Sequence, residues 1–149
     1  MRITIQSTDL RSVLGIGGRP ATSVRVGFLS RGFGGWACFI SAAASNSDLV
    51  GREFDVEIDH ERISDLSTGW DNGLTTGVSP LAEPGSFRVR GVIIDVSPLG
   101  EPAMDSLVTV AAGDAIFTLD RQDVGDVAFA KGEWVTFTAH EVSLWDEAS

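Results

Sequence analysis

The segment 107–119 constrains this chain more than any other. Leu107-Val108-Thr109-Val110 and Ala115-Ile116-Phe117-Thr118-Leu119 are alternating apolar runs on either side of Ala111-Ala112-Gly113-Asp114. That pattern predicts a strand, a tight Gly-Asp turn and a second strand. The runs 88–96 and 134–139 flank it and have the β-branched and aromatic content of further strands. A chain organised this way is all-β, with a closed or nearly closed sheet.

The N-terminal half adds alternating stretches at 2–6, 23–29 and 36–40, and a cleaner one at Glu53-Phe54-Asp55-Val56-Glu57-Ile58-Asp59. In the last, every odd position is acidic, so Phe54, Val56 and Ile58 face a core while the carboxylates face outward. Asp9 to Gly15 reads as one helical turn, and 15–20 as a glycine-rich loop. Residues 64–86 carry repeated Gly and Pro and read as a long irregular connection. One domain over 1–149 is the default for this length. The alternative is a division near 64–86, into an N-terminal β lobe over 1–63 and a barrel over 86–149.

In 87–96 the apolar phase changes at Gly91, which predicts a bulge that lets one long strand serve two sides of a barrel. Residues 120–131 predict a short helix, with Asp120 and Asp123 at its N-terminus and Lys131 in its last turn. No internal repeat is legible. The order of a long coiled strand, a hairpin, a short helix and a closing strand pair over 86–146 resembles a small Greek-key barrel of the OB type. The resemblance implies a fold and no particular function.

Charge sets the partner polarity. With 11 Lys+Arg against 21 Asp+Glu the net charge is −10, a field that repels phosphate backbones and anionic membranes and attracts basic partners. No apolar run reaches the roughly 18 residues needed to cross a bilayer, and the first residues lack a signal-peptide pattern; a cytoplasmic protein follows. One cysteine, Cys38, excludes an internal disulfide and lies in an apolar run, which predicts a buried, inert thiol.

No constellation rises to a catalytic or cofactor signature. His60, in Asp59-His60-Glu61, and His140, before Glu141, could each be oriented by a carboxylate, but neither has metal-ligand spacing. Asp120, Asp123 and Asp126 lack the alternate-position oxygens of a calcium loop. Gly15-Ile16-Gly17-Gly18 and Arg31-Gly32-Phe33-Gly34-Gly35 lack the ending of a P-loop. Basic residues interleave with an aromatic only at Phe87-Arg88-Val89-Arg90.

The reading that follows is a binding module that acts by association, without cofactor or metal. It engages a basic protein surface through Glu53, Asp55, Glu57, Asp59 and Glu61, as an inhibitor, an immunity-type protein or an accessory subunit would. The acidic row has a competing explanation of equal weight, since charge on an exposed edge strand blocks sheet-to-sheet association. The alternative function is a single-stranded nucleic-acid-binding barrel using Arg88, Arg90, Phe117 and Trp134. A third is a small enzyme built on a His/carboxylate pair at His60 or His140.

Overall fold

The computed structural model describes residues 1–9, 22–45, 48–69, 75–99 and 105–148. Among them run β1 (Arg2–Asp9), β2 (Ser23–Ser30), β3 (Gly34–Ile40), β4 (Glu53–Asp59), β5 (Arg62–Thr68) and β6 (Gly77–Pro80). The chain continues through β7 (Phe87–Leu99), β8 (Asp105–Ala112), β9 (Ala115–Leu119), α1 (Arg121–Val124), β10 (Trp134–His140) and β11 (Ser143–Asp146).

Five strands close a barrel in the order β1-β2-β3-β11-β4. All neighbours in it are antiparallel except β11 and β3, which run parallel. The other strands form a second sheet, β5-β10-β7-β8-β9, with β6 paired along β7. The chain is thus all-β, with a small OB-like barrel and one short helix. The hydrogen-bonded ring is built from the first four strands and the last. Segment 86–146 supplies β7 to β10 to the second sheet and β11 to the ring.

Local predictions fared unevenly. The hairpin forms as predicted, β8 pairing with β9 up to Ala112 opposite Ala115, with Gly113 in the left-handed turn conformation at φ 62°. Gly91 is not the bulge, because the register shift lies between Ile93 and Asp95. A Cβ at Gly91 would fall on Val110 Cγ1 and lie 2.7 Å from the Ala111 carbonyl oxygen, so this glycine lets β7 press against β8. The stretch read as irregular, 64–86, holds most of β5 and all of β6. The helix spans four residues and stops well short of Lys131, with Asp120 and Asp123 forming a capping box. The turn predicted from Asp9 lies outside the described residues beyond Asp9, which ends β1, as does the loop 15–20.

One buried cluster spans both sheets, with Ile3, Phe39 and Leu144 from the ring and Val89, Phe117 and Phe137 from the second sheet. Phe87 of β7 joins the two directly, its ring 6.0 Å from Phe28 and 6.1 Å from Phe33 between centroids.

The architecture repeats although the sequence does not show it. β1-β2-β3 with β4 beside β1 has its counterpart in β7-β8-β9 with β10 beside β7. The fifth strand of each unit is exchanged. β5, which follows β4, pairs with β10 in the second sheet, and β11, which follows β10, pairs with β4 in the ring. The connections, His60-Glu61 and Glu141-Val142, pass each other in one unbroken antiparallel register, from Asp59 opposite Ser143 to Arg62 opposite His140. Between them the Glu61 amide donates to the His140 carbonyl at 3.1 Å.

Candidate functional site

The acidic row is laid out as its alternation predicts. Val56 is fully buried, Phe54 and Ile58 are half-buried, and Glu53, Asp55, Glu57 and Asp59 are exposed on the outer face of the barrel. β4 is not an edge. Within the closed ring β1 pairs with it along 53–55 and β11 along 56–59. Arg2 stands opposite Asp55 and grips it through two hydrogen bonds, Nε to Oδ1 at 3.0 Å and Nη2 to Oδ2 at 2.8 Å. This holds Asp55 below the usual aspartate range. On the other flank Trp145, 47% exposed, stands opposite Glu57.

The row ends at the strand crossover. Beside Glu61 stands Glu141, and hydrogen bonding and like charge from this second carboxyl hold Glu61 above the ordinary glutamate value. Here a cleft of about 370 Å³ opens between Asp59, Glu61, Glu141, Trp145 and the Pro84–Gly85 turn. Its floor includes Cys38, which is exposed and not buried as predicted: Ala37 and Phe39 take the inward positions of β3 and leave Cys38 on the outside. The chemistry of this surface is a line of carboxylates with an exposed indole beside it, and Arg25, opposite Cys38, also lines the cleft.

The two histidines occupy equivalent places at the crossover and are held internally. His60 Nε2 lies 3.0 Å from Asp123 Oδ2, with the side chains 4% and 9% exposed. His140 Nε2 is 2.6 Å from Ser64 Oγ, and its Nδ1 is 3.5 Å from Ser86 Oγ. Among the described residues no three of His, Cys, Asp and Glu converge as metal ligands would.

Three of the four residues proposed for nucleic acid share a face. Arg88 and Arg90 stand opposite Thr138 and Thr136, and Trp134 continues the same side of β10. Phe117 lies on the other side, 1% exposed and 5.7 Å from Phe137, so it is a core residue and unavailable for stacking.

Sequence reasoning missed Arg2, Glu141 and Trp145. Trp145 left a trace, because adjacent Leu144 and Trp145 cannot both point inward from one strand. Arg2 and Glu141 left none, since only strand pairing brings them to Asp55 and Glu61.

No protein-family model matches the chain, and no curated protein does. Among solved structures it is similar to the cytoplasmic molybdate-binding protein ModG, in a crystal form with molybdate bound. That similarity has a TM-score of 0.51 at 16% identity and covers 96% of this chain and 92% of the other. The likeness is one of fold. It extends over both sheets and agrees with the OB-like reading.

Proposed function

We propose that this chain is a non-catalytic binding module that engages a basic protein surface through the outer face of β4. Glu53, Asp55, Glu57, Asp59 and Glu61 supply the charge, Trp145 supplies an apolar anchor, and the cleft at the crossover receives a basic side chain. One observation carries this reading: β4 belongs to a closed ring, paired along 53–55 with β1 and along 56–59 with β11. A strand inside a closed ring has less need of edge protection than one at the rim of an open sheet, which favours recognition over the competing explanation. Like charges stacked along one strand face repel, and Arg2 offsets this at Asp55 and, more weakly, at Glu53. A basic partner relieves the remainder. Inhibitor, immunity-type and accessory-subunit roles all fit this physics, and the reading places the protein in the cytoplasm, where its structural neighbour resides.

The test is a titration with short lysine- and arginine-rich peptides at low ionic strength, followed by tryptophan fluorescence. Saturable quenching that weakens with salt is expected. Glu57→Lys should reduce affinity several-fold and flatten the salt dependence. Binding that Glu57→Lys and Asp59→Lys leave unchanged would remove the acidic face from consideration.

A further inference from the structure

On this acidic chain one face has the opposite character. It is the outer side of the second sheet, where β6, β7, β10 and β5 lie side by side. One row across it reads Ser79, Arg88, Thr138 and Ser64, and the next reads Gly77, Arg90, Thr136 and Ser67. The Arg88 guanidinium donates only to neutral oxygens: Nη1 to Thr138 Oγ1 and the Asp65 carbonyl, each at 3.3 Å, and Nη2 to Thr136 Oγ1 at 3.2 Å. Arg90 goes further. Its Nε is buried and has no hydrogen-bond partner.

A buried donor on a charged group is costly to leave unsatisfied. An arginine cannot shed its proton to escape that cost. The two threonine hydroxyls add to the imbalance. Each oxygen accepts from Arg88 and still has its proton to donate. The carboxylate at the margin of the patch, Asp65, accepts from Ser64 Oγ at 3.4 Å, and among the described residues no carboxylate forms an ion pair with either guanidinium. Across the β6–β7 pair from Arg90 stands Gly77, where even an added Cβ would meet nothing within 4 Å, so β6 sets no side chain beside Arg90.

We infer that this face is a binding site for a compact oxyanion of the phosphate class, held by Arg90, with Arg88 and the hydroxyls of Thr136 and Thr138 completing the donor set. The guanidinium forks of Arg88 and Arg90 match the oxygens of such an anion. The site lies on the second sheet, apart from the acidic face of β4, and stands whether or not that face binds a basic partner.

The Arg90 Nε–Hε resonance reads the site directly. The intact protein is titrated with inorganic phosphate, with nucleoside monophosphate, and with chloride at matched ionic strength. The resonance, assigned by its loss in Arg90→Gln, should move saturably with phosphate and not with chloride. Calorimetry should show Arg90→Gln binding at least about tenfold more weakly, Arg90→Lys falling between, and Arg121→Gln matching the wild type. A stronger response to the monophosphate assigns the site to a phosphate ester, and a stronger response to inorganic phosphate assigns it to the free anion. A resonance that moves no more with phosphate than with chloride overturns the inference. So does one that moves only with a single-stranded oligonucleotide, which would instead favour a nucleic-acid surface on Arg88, Arg90 and Trp134. Because the wild-type resonance is itself the readout, a variant that fails to fold does not decide the matter.

Discussion

His60 Nε2 and Asp123 Oδ2 stand 3.0 Å apart inside the protein, and through them the crossover after β4 is tied to the helix after β9. Asp123 is committed twice, since Oδ2 also accepts the Asp120 amide at 3.0 Å and completes the helix cap. Removing one member strands the other away from water. His60→Ala should lower unfolding free energy by about 3 kcal/mol, and Asp123→Ala by at least as much because the cap is lost too. Replacing both should cost less than the sum of the two. Urea denaturation of the three variants measures this, and additive losses would mean the pair is not coupled.

The same pair sets a pH window. Burial alone would push His60 down, but the hydrogen bond and charge of Asp123, helped by Asp59 and Asp120, outweigh it and hold the imidazole above its ordinary 6.5. Burial would likewise push Asp123 up, but the His60 hydrogen bond and the Asp120 amide hold it below its ordinary 3.8. A base with a raised pKa stabilises fully below 6.5 and loses that contribution as pH climbs through its folded value. An acid with a lowered pKa stabilises above 3.8 and loses its contribution as pH falls through its folded value. The pair's contribution is therefore greatest between these limits. Urea midpoints measured across pH should show an alkaline decline that His60→Gln flattens; an identical decline in the variant would place its origin elsewhere.

At the crossover the Glu141 carboxyl should be felt in the titration of Glu61. Glu61 should take up its proton above the ordinary 4.5 because Glu141 stands beside it. Carboxyl-detected NMR across the acidic range reads this, and Glu141→Gln should return Glu61 toward its ordinary value. A Glu61 titration unmoved by Glu141→Gln would mean that the carboxylates do not meet in solution.

Alternation along single strands was enough to establish the β class, the hairpin at Gly113 and the outward row of β4. Those features rest on period-2 patterning and turn chemistry, which are local. Pairing is not local. That β4 lies inside a ring and not at an edge depends on β11, more than eighty residues later, and no pattern within Glu53–Asp59 encodes it. β5 was illegible for another reason: Arg62-Ile63-Ser64-Asp65-Leu66-Ser67-Thr68 breaks its alternation at Asp65, which takes a positive φ of 54°. Phe117 shows the reverse error, in which an aromatic suited to stacking on a base was already consumed by the core. Cys38 was misplaced because a run of apolar residues was read as uniformly buried, when alternation sends every second one outward.

The exchange of fifth strands governs the order in which this protein can be completed. The ring begun at Arg2 has no partner for the facing edges of β3 and β4 until residues 143–146 have been synthesised. A nascent chain thus carries two open strand edges through most of its elongation, the condition under which β proteins mispair with one another. Sequence separation between β3 and β11 makes closure a late, slow step and not a local one. Premature termination just before β11 would release a product that has most of its core residues and no means of sealing them.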